Sequence, residues 1–319
     1  MTTTTTALRR QIGSARDLKS VVSTMKASAA SAIGQYERSV AALADYARTV
    51  ELGLSVCLRT VNASGSATQA PSRSADDRAV HAVVFGSDQG LVGRFNEAVV
   101  EHAVAHLASM PGGAQAHAQT NTPTNARIWA VGERVQARLL DAGLPPVGSF
   151  PVPGSVQLIT GLVGQILLRV QMADSETVSE PAGGTLMLFY NRPTDVGHEP
   201  VSQRLLPLDE SWQRGLARQP WPTTQLPEVL GVGRQALRAF IREHLFVSLF
   251  RACAESLASE NASRLAAMQR ADRNIGELLT ELNAEFHRLR QSGIDEELFD
   301  VIAGFDALTP QSLPQSSPQ

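Results

Sequence analysis

The sequence offers few residues whose types and spacing could carry out chemistry. The strongest local feature is Gly86-Ser-Asp-Gln-Gly-Leu-Val-Gly93, which follows an apolar β-branched run and precedes a helical pattern. A glycine-rich turn in that position can cradle the phosphates of a nucleotide. Its glycines at 86, 90 and 93 do not fit G-x-G-x-x-G, and no G-K-[ST] follows, so the spacing favours a structural turn. His102 and His106 are spaced i, i+4 and could share one face of a helix, but no third metal ligand sits at a telling distance. Asp76-Asp77, Asp209-Glu210 and Glu296-Glu297 are carboxylate pairs in segments that read as solvated. Cys57 and Cys253 have no histidine nearby in sequence and read as small packing residues. No catalytic residue, metal site or cofactor is expected from these motifs.

The elements that would position such residues are set out by proline. None occurs from Met1 to Ala70 or from Glu228 to Thr309, although the chain contains 17. Two proline-free ends around a proline-rich centre predict helical arms flanking a compact domain. The C-terminal arm carries an unbroken 3-4 alternation from Leu237 through Phe240, His244, Val247 and Arg251 to Leu289, mostly apolar but with His244, Arg251, Asn261 and Asp272 on the seam. The N-terminal arm does the same at Leu18, Val22, Met25, Ala29, Ala32, Tyr36, Ser39, Leu43, Tyr46 and Val50. Such stripes cannot be buried by one helix alone, and their simplest partners are each other. Residues 1–30 carry five basic side chains against Asp17, whereas 285–306 carry six acids against Arg288 and Arg290. An antiparallel pair would place that basic start beside that acidic end.

Between the arms, Val80–Phe85, Arg127–Val131, Thr185–Tyr190 and Val201–Leu206 predict strands. Helical patterns cover Asn96–Ala108, Gly132–Asp141 and Val156–Met172. This alternation implies an α/β layer. The expected organisation is an N-terminal coiled-coil helix over 1–61, an α/β domain over 78–225, a C-terminal coiled-coil helix over 226–308 and a tail over 309–319. Segments 62–77, 110–125 and 310–319 are too rich in Ser, Gly, Pro, Gln and Thr to fill a core.

Composition narrows the function. The 319 residues are 43% hydrophobic and 18% charged, with 28 basic and 31 acidic side chains and a net charge of −3. There is no charge excess for nucleic acid or anionic lipid. No apolar stretch is long enough for direct bilayer insertion, and the threonine-rich start does not resemble a secretory signal. Two cysteines predict a reducing compartment without a disulfide framework.

The segment Ala254-Glu-Ser-Leu-Ala-Ser-Glu-Asn-Ala-Ser-Arg-Leu-Ala-Ala-Met268 resembles the signature of the γ subunit of F-type ATP synthases. Asn274-Ile-Gly-Glu-Leu, Arg290-Gln-Ser-Gly-Ile-Asp-Glu-Glu-Leu298 and Ile302-Ala-Gly304 follow in family order. Ser87-Asp-Gln-Gly-Leu-Val-Gly93 with Asn96 is similar to the family's S-D-R-G-L-C-G-x-x-N turn, and Leu8 through Met25 to its first helix. The resemblance implies a long antiparallel coiled coil of the terminal helices plus a small Rossmann-like α/β domain. It implies a non-catalytic rotor within an α3β3 hexamer, near the ε subunit and the membrane c-ring. Its location would be peripheral, on the cytoplasmic face of the bacterial inner membrane. Met25 matches the methionine against the β subunit's acidic lever loop, and the adjoining Lys26 is carried over with it. Arg264, Arg290 and Gln291 match polar shaft positions; Ser87, Asp88, Gly90 and Gly93 match the structural turn.

Four departures, Ala27, Ala32, Asp295 and the tail beyond Leu308, point to a divergent branch such as the alternate N-ATPase form. Gly293 and Asp295 together predict an interruption of the last helix. The rival readings are an α/β enzyme binding a nucleotide at Gly86–Gly93, with the arms serving dimerisation, and a free-standing coiled-coil scaffold.

Overall fold

The computed structural model describes residues 4–63, 80–110, 126–174, 184–195, 197–225, 227–228 and 233–308. The low-complexity segments and the tail lie outside these, except for Asn62, Ala63 and Met110. The chain runs α1 (Thr5–Ala63), β1 (Val80–Phe85), α2 (Phe95–Ala108), β2 (Ala126–Val131), α3 (Glu133–Asp141), β3 (Gly148–Phe150), α4 (Val156–Asp174), β4 (Thr185–Thr194), β5 (Gly197–Leu206), α5 (Glu210–Arg218) and α6 (Gly233–Leu308). Its described residues form two compact units, one drawn from Met1–Lys26 and Met268–Gln319, the other from Ala27–Ala267.

The larger unit is built on a five-stranded sheet in the order β3-β2-β1-β4-β5. All pairings are parallel except β4 with β5, which form an antiparallel hairpin. Parallel strands need both faces covered, which is why β1 and β2 read as near-continuous apolar runs rather than alternating ones. One face carries Val83, Phe85, Leu188 and Tyr190 against Ile159 and Val163 of α4 and Leu249 and Leu257 of α6. The other face carries Ala82, Val84, Ile128 and Phe189 against Val99 and Leu107 of α2 and Leu139 of α3. The result is the Rossmann-like layer expected from the strand–helix alternation.

Three features escaped the sequence reading. β3 is only three residues long, and its pattern resembles a loop. β5 begins four residues earlier than expected, at Gly197, because a hairpin extends both strands past the apolar run. α5 forms where Asp209 accepts hydrogen bonds from the backbone N–H groups of Ser211 and Trp212, so this acid belongs to a helix cap.

Within the larger unit, α1 and α6 pair antiparallel. The Tyr46 hydroxyl donates to Glu243 at 2.7 Å, and Gly53 leaves room for the Phe240 ring, 2.2 Å from where a Cβ would stand. Within the smaller unit the direction is the same. Arg9 lies over the Phe286 ring, Lys19 approaches Gly276, and Lys26 donates to Asp272 at 2.7 Å.

The coiled-coil seam needs correction in its register. Val22, Ala29, Tyr36 and Val50 are buried as the pattern requires, but Leu18 and Tyr46 are 57% and 44% exposed. Leu8, Ile12 and Ala15 set the line of the stripe instead. The 3-4 alternation leaves two adjacent choices at every second step, and picking the more apolar one places Leu18 off the seam. On α6, Arg251 is likewise exposed, its charge turned to Glu255. The interruption expected at Gly293 and Asp295 is absent: α6 is continuous to Leu308. One helical glycine costs only about 1 kcal/mol relative to alanine, too little to end a helix flanked by good formers such as Glu296, Glu297 and Leu298.

Candidate functional site

The glycine-rich turn leaves the carboxyl end of β1, where nucleotide phosphates bind in many folds of this architecture. Here the turn is closed by its own side chains. The Ser87 N–H donates to Asn96 Oδ1 at 3.0 Å, Asn96 Nδ2 donates to Ser87 Oγ at 2.8 Å, and Ser87 Oγ donates to the Gln89 carbonyl. Asp88 spends both carboxylate oxygens on backbone: Oδ1 accepts from the Glu133 N–H at the start of α3, and Oδ2 from the Val152 N–H after β3, each at 2.9 Å. An internal carboxylate thus occupies the N-terminus of α3, while α2, the helix that follows the turn, starts at Arg94 without a side-chain cap. Gly86 and Gly132 are the glycines that matter for close approach. A Cβ on Gly86 would lie 2.3 Å from Val135 Cβ, and one on Gly132, at φ +117°, 2.7 Å from the Ser87 carbonyl oxygen. Gly90 has open space around it, and Gly93 adopts φ +61°, also in open space. An open cleft of ≈ 410 Å³ beside the turn is lined by Gly90, Gly93, Asn96, Arg134 and Arg138 among others. Arg138 is already paired with Glu97.

Arg264 and its neighbours form a buried ionic centre on α6. Its guanidinium donates to Glu260 Oε1 at 2.6 Å, with both side chains nearly withdrawn from solvent. Burial raises the Glu260 carboxyl above its ordinary range, Arg264 opposes this, and the Asp88 carboxylate adds to the rise. Arg264 therefore spends its charge inside the protein. Glu260 and Glu255 were not singled out from sequence, although Glu260–Arg264 and Arg251–Glu255 both stand at the i, i+4 spacing of helical ion pairs.

The shaft positions of the smaller unit differ among themselves. Met25 is half-buried, Lys26 is committed to Asp272, and Arg290 and Gln291 are exposed. Beyond them α6 exposes Ile294, Leu298, Phe299, Val301, Ile302 and Phe305 at 47–72%.

His102 and His106 are packing residues. His102 and His106 stack 6.2 Å apart, both edge-on to Phe189, and His106 Nδ1 lies 3.3 Å from Ser202 Oγ. Among the described residues no group of three His, Cys, Asp or Glu gathers as a metal ion would need. Burial pushes the imidazoles of His102, His198 and His244 below their usual pKa. The fold favours their neutral forms, so their contribution is present above the unfolded value of about 6.5 and is lost as pH falls through the folded values. Denaturant melts are therefore expected to show stability falling on acidification below about pH 6.5. Replacing all three by glutamine should flatten the slope; an unchanged slope would contradict this assignment.

No helix among the described residues is long and apolar enough to cross a membrane. The family model described as ATP synthase matches residues 4–308. A protein named ATP synthase gamma chain from Paramagnetospirillum magneticum is 25% identical over 304 residues, covering 94% of this chain and 98% of its own. One of the same name from Granulibacter bethesdensis is 26% identical over 316 residues, covering 95% and 98%. Among solved structures, a chain of the Euglena gracilis mitochondrial ATP synthase, in its OSCP/F1/c-ring assembly, has the same fold with a TM-score of 0.58 at 15% identity, covering 99% of both chains. A chain from the central stalk/c-ring structure of the Tetrahymena thermophila mitochondrial enzyme reaches 0.53 at 20% identity, covering 79% of this chain and 99% of its own. Matched along almost its whole length, from the first turn of α1 to the last of α6, this chain belongs to the γ-chain family of ATP synthases.

Proposed function

We propose that this chain, a γ subunit of an F-type ATP synthase central stalk, is a non-catalytic rotor. It couples ion flow through a membrane ring to conformational change at catalytic β subunits. The observation that carries this reading is the end of α6, where Ile294, Leu298, Phe299, Val301 and Ile302 stand exposed along a helix that continues to Leu308. An apolar helix face of that size calls for a cover, and a sleeve formed by α and β subunits would provide it. Rotation then presents different contacts to chemically identical β subunits in turn. Such contacts shift each site between open and closed states only through a difference in affinity for the two.

In this reading the α/β domain over 78–225 meets the ε subunit and the ring, and the coiled coil of 1–61 with 226–308 enters the hexamer. The chain is held at the cytoplasmic face of a bacterial inner membrane by partners rather than by a span of its own. Met25, Arg290 and Gln291 face those partners. Lys26 and Arg264 act indirectly, through Asp272 and Glu260, and the Ser87–Gly93 turn is structural.

The test is Met25→Lys in the assembled complex. A cation placed against an acidic loop of β should hold one rotary position too tightly, so ions pumped per ATP are expected to fall while the subunits still assemble. Pumping per ATP equal to the wild type would remove Met25 from the contact surface.

A further inference from the structure

Inside the larger unit, α6 is embedded from Leu245 to Ala258 mainly by small and apolar side chains, including Leu249, Ala252, Cys253, Ala254 and Leu257. Such packing resists separation, but it is non-directional, and small side chains give little relief against a twist about the helix axis. A rotor has to resist that motion in particular. Directional resistance comes from two polar links, both made by the β4–β5 hairpin. On β4, Arg192 Nε donates to Glu255 Oε2 at 3.4 Å, while Arg251 Nε holds the other oxygen at 2.7 Å. Glu255 is 7% exposed, so a buried carboxylate is held from two sides by arginines whose own side chains reach solvent. Arg192 is itself steadied by donating to the Tyr190 hydroxyl at 3.2 Å, with its guanidinium 6.0 Å from that ring. On β5, His198 Nδ1 lies 3.0 Å from Ser263 Oγ, and the imidazole packs edge-on against Phe95 at 5.3 Å.

Arg192 and His198 stand on adjoining strands, one register step apart, since Arg192 pairs with Glu199 and Pro193 with His198. Their partners on α6 are eight residues apart, about 12 Å along the axis and roughly 80° around it. Two anchors separated in this way hold a helix against both sliding and turning.

We infer that the β4–β5 hairpin is a torsional clasp, with Arg192 and His198 as positioning residues that key α6 to the sheet so that the two turn together. This rests on the rotor reading above. It adds the place where torque passes between the sheet layer and the helix.

The test uses the complete ATP synthase carrying Arg192→Met together with Ser263→Ala. The expected result is a complex that assembles and hydrolyses ATP at close to the wild-type rate but pumps fewer ions per ATP. Slipped states of the sheet layer about α6 should rise roughly tenfold, the weight of one lost hydrogen bond to a charged group. Arg192→Lys, which keeps the charge, should recover part of the pumping, a response that a purely structural role would not give. If the double variant fails to assemble, the single Ser263→Ala and Arg192→Lys complexes are expected to show graded losses in pumping per ATP. Wild-type pumping in the double variant, or in both single variants, would overturn the clasp and assign torque to apolar packing. The rotor reading fails by a different result: a complex assembled without this chain that still pumps ions with ATP.

Discussion

Arg264→Met is expected to destabilise the larger unit by about 3–5 kcal/mol at neutral pH, the range for a buried ion pair that loses one partner. The Glu260 carboxylate would remain, 6% exposed, with its compensating charge gone and Asp88 still raising its energy. The loss should carry a pH signature. In the native chain burial already raises the Glu260 pKa and Arg264 pulls it back, so removing Arg264 raises it further. A carboxyl whose folded pKa lies above its unfolded value penalises the fold only while ionised. The deficit should therefore shrink as pH falls toward about 5, where the folded form takes up a proton before the unfolded one does. Denaturant melts of variant and wild type at neutral and mildly acidic pH measure this directly. A double variant, Arg264→Met with Glu260→Leu, should recover most of the stability, because an apolar pair of similar volume often replaces a buried ion pair without cost. A deficit that did not change with pH would mean that lost packing, not an uncompensated charge, explains the effect.

Gly132→Ala is expected to cost about 2–5 kcal/mol, combining backbone strain with overpacking. Its φ of +117° lies in a region that side chains avoid, and the new methyl would stand 2.7 Å from the Ser87 carbonyl oxygen and 2.8 Å from its carbon. Neither atom can yield without moving the turn, whose Ser87 carbonyl also accepts the Arg134 N–H at 2.9 Å. Gly90→Ala is the internal control. Nothing lies within 4 Å of its added methyl, and its φ lies outside the left-handed region, so the change should be neutral or stabilising by up to about 1 kcal/mol. Thermal melts of the two variants check both statements, and equal destabilisation would contradict the geometry of the turn.

That contrast also marks what the sequence could reveal. Gly86, Gly90 and Gly93 attract notice because they cluster, yet Gly132 makes one of the closest backbone approaches while standing 46 residues away. No local spacing announces such a contact; it arises when β1 and β2 end side by side. The strands and helices were legible because parallel strands buried on both faces and helices buried on one leave periodic apolar patterns. β3 was not, its three residues being too few for a period to develop; α5, as long as α3, was missed because its opening Asp209-Glu210 reads as a solvated carboxylate pair rather than as a helix cap. The antiparallel pairing of the arms was legible from charge and heptads together. The register was harder to read, because Leu18 and Lys19 compete for one position and a lysine stem can lie along the seam. The internal roles of Lys26 and Arg264 were hidden because a charged side chain looks the same in sequence whether it meets a partner subunit or a neighbouring helix.

The central claim is that the sheet layer turns as one body with the terminal helices inside a catalytic hexamer. Cys57 and Cys253 are buried, so a thiol introduced at the exposed Ser149 on β3 would be labelled selectively. A bead attached there, on surface-held α–β complexes supplied with ATP, reports the motion directly. The expected result is stepwise rotation in one direction that stops when ATP is exhausted. Full-rate ATP hydrolysis with a stationary bead would contradict the account.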